Sequence, residues 1–282
     1  QCRGPRDVGF QLTFGDEVGT PERTDIAKAR CLVLVGSHLG ENMHNSQVAS
    51  WGYVVAAVDH PERGVVAALS GGGGGPADDG TCEPRDESDQ YLDSDQLAAG
   101  LDLLGQENED AGSPLEGAVD TDKVAAEGHS AGGSASGTLA YDDRVDVWIG
   151  QAPGTPLEPG TDTGQYASVT ENADGTCEFD FDSEGLLADT SPPPVPSMII
   201  AAEGDTVIPI DSVQATYDWL DAPKRLIEIA GSGHAVFVDP CPLIQEEGGL
   251  SDFVSALGLD PDDVPLVELG ENGCLPGDTP AE

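Results

Sequence analysis

The chain has 282 residues, of which 53 are acidic and 11 are basic, and its formal net charge is -42 at pH 7. This length fits one large domain or two small ones, and a hydrophobic content of 38% is enough for a substantial core, which excludes a disordered chain. The charge argues against a nucleic-acid partner, and no uncharged apolar run approaches the roughly 18 to 20 residues of a membrane-spanning helix.

The order of apolar runs along the chain predicts an α/β fold. Short apolar runs that are typical of buried strands alternate with helical patterns, which indicates a mostly parallel central sheet flanked by helices on both faces. The predicted strands are residues 31–35, 53–58, 124–127, 145–149, 198–201 and 226–229. Two helices are predicted between them, at residues 89–105, where leucines recur at helical spacing, and at residues 211–220.

Residues 155–194 break this alternation. The segment is rich in Gly, Asp, Thr and Pro, and a connection of this length in a compact domain is often a lid, a binding loop or an inserted piece. We therefore predict an acidic, lid-like insertion. Its acidic side chains at residues 178–184 offer oxygen ligands for calcium, but they lack the loop order of a calcium motif, and a solvated acidic surface is the preferred interpretation.

A Gly-His-Ser-Ala-Gly motif at residues 128–132 carries the main chemical signal. It follows the third predicted strand and precedes a run of small residues, which is the strand–turn–helix setting of a nucleophile elbow. Glycines are needed there because side chains on a turn this sharp would clash with the strand and the helix. The hydroxyl of Ser130 then projects from the carboxyl edge of the sheet, with a helix amino terminus behind it to favour a developing anion. His129, inside the motif, is interpreted as a packing residue.

An acid and a histidine follow this serine in the order that such a site requires. Asp205 comes just after the fifth predicted strand, and His234 ends a Gly-Ser-Gly-His sequence after the sixth. Both loops are expected at the edge of the sheet that carries Ser130. We predict a catalytic triad in which Ser130 is the nucleophile, His234 is the general base, and Asp205 orients the imidazole. Glu203 is the alternative acid if the loop register differs.

The oxyanion that forms during acyl transfer needs two preorganised donors. One is expected from the backbone amide of Ala131, directly after the nucleophile. The other is expected from the loop at residues 36–40, which follows the first predicted strand. Within that loop we favour the amide of His38 over that of Leu39.

Residues 31–237 resemble the α/β-hydrolase superfamily. The resemblance is carried by residues 48–59, the elbow at 128–133, the Gln-Ala-Pro sequence at 151–153, and the loops that hold Asp205 and His234. Within the superfamily the chain is most similar to the group of dienelactone-hydrolase-like, platelet-activating-factor-acetylhydrolase-like and bacterial cutinase or polyester-hydrolase proteins. The resemblance implies the α/β-hydrolase fold and hydrolysis of carboxylic esters through an acyl-enzyme, without a cofactor or a metal.

The chain departs from the polyester-hydrolase pattern around the substrate. Those enzymes usually carry a methionine after the nucleophile and a tryptophan after the Gln-Ala-Pro sequence, where this chain has Ala131 and Gly154. They also place an aromatic residue in the oxyanion loop, where this chain has Ser37, His38 and Leu39. The aromatic clamp of a polyester hydrolase is therefore missing from its usual positions.

Other aromatic residues are candidates to replace this clamp. They are Trp148, Tyr166 and Phe237. We expect Leu39, Gly154 and Phe237 to line the substrate pocket. Aromatic polyesters are expected to be poor substrates unless one of the three aromatic residues grips the ring.

The acidic excess indicates adaptation to high salt. Self-repulsion at this charge destabilises a compact state unless counterions screen it, and the screening length falls from about 10 Å at 0.1 M salt to about 3 Å at 1 M. Only three of the basic residues are lysines: Lys28, Lys123 and Lys224. An ordinary acidic exported protein is the alternative interpretation.

Six cysteines are present without a Cys-x-x-Cys pair or a zinc-ligand spacing. They are Cys2, Cys31, Cys82, Cys177, Cys241 and Cys274. An even number favours structural disulfides and an oxidising compartment, and of the fifteen possible pairings we predict Cys241 with Cys274, which would tie the tail at residues 259–282 to the body. A buried free thiol at Cys31 is the alternative. The cysteine count, together with a start at Gln1 and no apolar leader, predicts a secreted or periplasmic protein. The alternative is a protein in the cytoplasm of an extreme halophile.

Taken together, the sequence predicts a single α/β-hydrolase domain over residues 1–282, acting as a monomer on a small-molecule or polymeric ester. The expected activity is hydrolysis of neutral short- to medium-chain carboxylic esters by a serine enzyme without a cofactor. A lipase or phospholipid acetylhydrolase is the alternative enzyme. A non-catalytic exported binding module on a hydrolase fold is the alternative of another class.

Overall fold

A sheet of seven strands forms the centre of the described part of the protein. The computed structural model describes residues 10–13, 29–35, 42–51, 53–58, 88–171, 177–238, 241–256, 258, 260–261, 267, 271–276 and 278. The strands are β1 (Phe10–Thr13), β2 (Ala29–Val35), β3 (Tyr53–Val58), β4 (Val119–His129), β5 (Val147–Gln151), β6 (Ala167–Glu171), β7 (Cys177–Phe181), β8 (Ser197–Ala202) and β9 (Lys224–Ile229). Their order across the sheet is β1-β3-β2-β4-β5-β8-β9, and β6 and β7 form a separate antiparallel hairpin.

The sheet is parallel except at one edge. β1 runs antiparallel to β3, and the five other neighbouring pairs are parallel. All six predicted strands are present, as β2, β3, β4, β5, β8 and β9, which confirms the α/β class. The sequence does not predict β1, because a strand of four residues is too short for its periodicity to stand out.

Helices cover the sheet and extend beyond it. They are α1 (Asn42–Ser50), α2 (Ser88–Glu109), α3 (Ala131–Leu139), α4 (Ser183–Asp189), α5 (Ile210–Trp219), α6 (Cys241–Glu247) and α7 (Leu250–Ala256). The predicted helices at residues 89–105 and 211–220 correspond to α2 and α5. Among the described residues, no helix combines the length and the apolar character needed to cross a membrane.

Strand β3 shows how the sheet separates two apolar layers. Val54, Ala56 and Val58 point to one face and join the main core with side chains of α2, α3 and α5. Val55 points to the other face and packs with Ala49 of α1. Because successive side chains of a strand alternate between faces, these contacts place helices on both sides of the sheet, as predicted.

Residues 155–194 contain a folded unit, with the hairpin β6–β7 and helix α4. Its apolar centre consists of Leu157, Tyr166 and Leu186. Two hydrogen bonds join this unit to helices that cover the central sheet. The Leu157 N–H donates to Thr138 Oγ1 of α3 (2.9 Å), and Trp219 Nε1 of α5 donates to the carbonyl of Thr190 (3.2 Å). The sequence does not predict this hairpin, and the lid-like behaviour of the segment stays a prediction.

A disulfide between Cys241 and Cys274 ties the C-terminal residues to α6. The two Cα atoms are 5.0 Å apart, and both residues are fully buried. The apolar cluster around the bond consists of Ala235, Val238, Cys241, Ile244, Leu250, Val254, Val267 and Cys274. The predicted pairing is therefore confirmed, and the side chains of the other four cysteines lie outside the described residues.

Candidate functional site

Ser130 lies on a tight turn between β4 and α3. Its backbone has φ 56° and ψ -122°, a conformation that costs a residue other than glycine about 1 to 3 kcal/mol and persists only where the surroundings hold it. The Ser130 N–H donates to the carbonyl of Gln151 on β5 (2.9 Å). A Cβ at Gly128 would overlap the carbonyl group of Gly132, so the approach of strand and helix requires glycine there. The motif therefore forms the strand–turn–helix that its sequence predicts.

Hydrogen bonds join Ser130, His234 and Asp205 in a row. Ser130 Oγ lies 2.8 Å from His234 Nε2, and His234 Nδ1 lies 2.8 Å from Asp205 Oδ2. A carboxylate only accepts hydrogen bonds, so Nδ1 carries the imidazole proton and Nε2 accepts from the serine hydroxyl. The side chain of Asp205 is 1% exposed and that of His234 is 7% exposed, whereas Ser130 is half-buried. The three residues predicted as a triad are thus brought together, with a base placed to take the serine proton.

The carboxylate of Asp205 is held by its own loop. Its second oxygen, Oδ1, accepts from the backbone amides of Val207 (2.9 Å) and Ile208 (2.8 Å). Both oxygens therefore have donors, and the orientation toward the imidazole is fixed. Glu203, the alternative acid, instead accepts from the Gly231 N–H (2.9 Å) and so joins the loops after β8 and β9.

His234 is held through its backbone by two side chains. Its N–H donates to Asn272 Oδ1 (2.6 Å), and its carbonyl accepts from His129 Nε2 (2.9 Å). The ring of His129 also lies against the rings of His234 and Phe237, with centroids 4.7 and 5.1 Å apart. The packing role predicted for His129 agrees with these contacts, whereas Asn272 was not singled out from the sequence.

His129 is a neutral imidazole enclosed beside the row of hydrogen bonds. It is 4% exposed, and its Nδ1 has no hydrogen-bond partner among the residues that the structure describes. The pKa of His129 is lowered from 6.5 to about 3. Burial is the largest cause, and the neighbouring His234 is the second. The Nε2 proton is therefore available to hold the carbonyl of His234 throughout the neutral range.

The low pKa of His129 makes acid destabilising. The unfolded chain protonates this histidine below about pH 6.5 while the folded chain does not until about pH 3, so the full stability is present above pH 6.5 and is lost as the pH falls. We expect the difference in unfolding free energy between the wild type and His129→Gln to fall by about 1.4 kcal/mol for each pH unit below 6.5. Denaturant titrations from pH 7.5 to 5 measure it, and the carboxylates cancel because both proteins share them. A difference that stays constant over this range would show that His129 titrates normally.

The sequence patterns do not single out Glu127, a buried acid in the strand that leads to the elbow. Glu127 of β4 is 5% exposed and accepts from Gln151 Nε2 (2.7 Å) and His44 Nε2 (3.0 Å). It therefore joins β4 to β5 and to α1 two residues before His129. The signal that could have found it is a carboxylate within an otherwise apolar buried strand, which is rare without partners.

The predicted oxyanion donors are only partly within the described residues. Ala131 is the first residue of α3 and is exposed. Amides in the first turn of a helix have no acceptor inside the helix, so its N–H is available to a developing anion. His38 and Leu39 lie outside the described residues, and their roles stay predictions.

The candidate pocket residues differ in how they are placed. A Cβ at Gly154 would lie 2.5 Å from Ser134 Oγ, so this position faces helix α3, and a side chain here would require the Ser134 hydroxyl to move. Trp148 is fully buried and Tyr166 is 8% exposed in the cluster of residues 155–194, so both are packing residues. Phe237 is half-buried against the ring of His129 and is the remaining aromatic candidate.

The acidic residues considered for calcium include a helix cap. Asp182 accepts from the Gly185 N–H (2.8 Å) at the start of α4. Within the part of the chain that the structure describes, no group of three or more His, Cys, Asp or Glu side chains is arranged to hold a metal ion.

Comparison with known proteins does not identify a family. No family model matches the chain, and no curated protein is similar to it in sequence. The function is therefore argued from the side chains around Ser130.

Proposed function

We propose that the protein is a serine carboxylic ester hydrolase with the α/β-hydrolase fold. The observation that carries the proposal is the hydrogen-bonded row Asp205–His234–Ser130, with its serine on a positive-φ turn at the start of α3. Structural histidines and serines seldom combine this row with a strained turn, whereas a nucleophile elbow needs both. The order along the chain, serine, acid and histidine after parallel strands β4, β8 and β9, also supports it.

Acylation follows from the positions of these groups. Ser130 Oγ attacks the carbonyl carbon of the ester while its proton passes to His234 Nε2. Asp205 keeps Nδ1 protonated and stabilises the imidazolium. The charge on the carbonyl oxygen is stabilised by the amide of Ala131 and by a second donor expected from the loop at residues 36–40. The C–O bond then breaks, and the leaving alkoxide takes the proton from Nε2 to depart as an alcohol.

Deacylation repeats the steps with water. His234 Nε2 takes a proton from a water molecule, whose oxygen attacks the acyl carbon on Ser130. The second tetrahedral intermediate collapses by breaking the bond to Oγ, which recovers its proton from Nε2. The products are one carboxylic acid and one alcohol, and no redox change takes place.

The charge of the protein favours neutral substrates. A net charge of -42 repels anionic esters unless salt screens it, whereas the encounter with a neutral ester is unaffected. Residue 154 is a glycine, and the rings of Trp148 and Tyr166 are buried, so none of these positions supplies an exposed ring that could hold an aromatic polyester. This supports small to medium acyl groups as the preferred substrates. The buried disulfide Cys241–Cys274 supports export to an oxidising compartment.

A graded series of nitrophenyl esters in molar salt tests the proposal. We expect kcat/KM to be highest for acetate to hexanoate esters and to fall for longer chains, with no activity on the corresponding anilide or phosphate ester. A maximum at long chains, with a jump in rate above the solubility limit, would instead indicate a lipase. No hydrolysis of any ester by folded protein would favour the non-catalytic binding module and contradict the proposal.

A further inference from the structure

Asn272, in the C-terminal tail, bonds to both loops that carry the triad. Its Oδ1 accepts from the amides of Thr206 (3.1 Å) and His234 (2.6 Å). Its Nδ2 donates to the carbonyl of Gly204 (3.2 Å), and its own carbonyl accepts from the Ala235 N–H (2.7 Å). Asn272 is therefore bonded to a neighbour of Asp205 on each side and to His234 itself.

The tail segment around Asn272 is fixed in place. Cys274, two residues later, forms the buried disulfide with Cys241. Gly273 has φ +105° and packs so closely on Gly233 that a Cβ at Gly273 would lie 2.8 Å from the Gly233 carbonyl carbon. A side chain is excluded at Gly273 both by conformation and by space, so Asn272 is presented to the two loops from a rigid support.

Two other bonds between the two loops involve residues that precede Asp205 and His234 along the chain. The Gly204 N–H donates to the carbonyl of Ser232 (2.7 Å), and the Gly231 N–H donates to Glu203 (2.9 Å). These bonds join the loops near the ends of β8 and β9. Asn272 joins them where the acid and the base face each other, because one oxygen atom binds the amide after Asp205 and the amide of His234.

We propose that Asn272 is a positioning residue that sets the geometry between Asp205 and His234. The inference rests on the proposed ester hydrolase function for its catalytic consequence. A misplacement of about 1 Å in a catalytic group costs about 100-fold in rate, so the loss of this support lowers kcat more than it weakens substrate binding. A neutral amide at this position supplies the acceptor without adding charge beside the imidazole.

Two substitutions separate positioning from folding. Asn272→Ala removes the side-chain acceptor and donor, and we expect kcat to fall about 10- to 100-fold with KM changed less than about 3-fold. Asn272→Asp keeps the acceptor for both amides, loses the donor to the Gly204 carbonyl, and adds a negative charge near His234, which favours the imidazolium. We expect it to recover most of kcat at alkaline pH and to move the acidic limb of the kcat/KM profile upward by about one pH unit.

Asn108→Ala is the matched control. Asn108 Oδ1 accepts from the Val119 N–H (2.9 Å) in the same manner, but at the start of β4, away from the triad. Its loss is expected to lower the melting temperature without changing kcat or the pH profile. If Asn272→Ala behaves like Asn108→Ala, Asn272 is structural only and the inference is wrong.

A proton NMR measurement tests positioning without relying on turnover. The Nδ1 proton of His234, bonded to Asp205, should give a low-field resonance in the wild type and in Asn108→Ala, and a shifted or lost resonance in Asn272→Ala. In Asn272→Asp its titration should move to higher pH. An unchanged resonance in both Asn272 variants overturns the inference, whereas a wild type that shows the resonance but hydrolyses no ester overturns the proposed function alone.

Discussion

Replacing Ser130 by alanine is expected to lower kcat for a neutral nitrophenyl ester by about 10⁵-fold or more, because the atom that forms the acyl bond is removed. The residual rate should be that of a bound ester near general base and oxyanion donors, with water as the nucleophile. The fold should survive, since Ser130 is half-buried and alanine removes a single oxygen atom. Steady-state rates and melting curves of the same preparations measure both quantities.

Ser50→Ala is the matched control for this substitution. The Ser50 hydroxyl donates to the carbonyl of Gln47 (2.6 Å) at the end of α1, where no proton transfer is expected. Its removal should leave kcat unchanged. If Ser130→Ala retained more than about one-tenth of the wild-type kcat, the assignment of Ser130 as nucleophile would fail.

Raising the salt concentration is expected to raise the melting temperature steeply. Eleven basic residues cannot neutralise 53 acidic ones, and Arg144, for example, forms ion pairs with both Asp102 and Asp142. Screening of the remaining repulsion strengthens as the screening length falls from about 10 Å at 0.1 M to about 3 Å at 1 M. If this removes about 4 kcal/mol of repulsion, the melting temperature rises by on the order of 10 °C.

The pH provides the control for the salt effect. Near pH 4 about half of the carboxylates are protonated and the net charge approaches zero, in line with the sequence isoelectric point of about 4.1, so the effect of sodium chloride on the melting temperature should shrink. Sucrose, which acts by exclusion from the surface and not by screening, should raise the melting temperature similarly at both pH values. A melting temperature at pH 7 that is flat between 0.1 and 3 M salt would contradict adaptation to salt.

The sequence predicts well those features that leave a local pattern. A parallel strand with buried side chains on both faces appears as a short apolar run, as β3, β5 and β8 do. Apolar runs of the same kind also predict β2, β4 and β9. Ser130, Asp205 and His234 were predicted because each follows such a run, and the carboxyl ends of parallel strands meet at one edge. The sequence does not give the distances between the side-chain atoms of these three residues, which only the structure supplies.

Features that act through tertiary contacts were missed. Asn272 lies in a polar tail, 38 residues after His234, and nothing in the neighbouring sequence distinguishes it from a surface residue. Glu127 is the last residue of a predicted strand, and its contacts appear only when the fold places His44 and Gln151 beside it. The Cys241–Cys274 pairing was predicted, but its role as the support of Asn272 follows only from the fold.

The most direct test of the central claim is covalent labelling of the folded protein with a fluorophosphonate in molar salt, followed by peptide mapping. Only a serine activated by a neighbouring base attacks this reagent rapidly, so the measurement does not depend on knowing the physiological ester. We predict a single adduct on Ser130, lost in His234→Ala and retained in Ser50→Ala. An adduct on another serine, or none on the folded wild type, would contradict the assignment of Ser130, His234 and Asp205 as a catalytic triad.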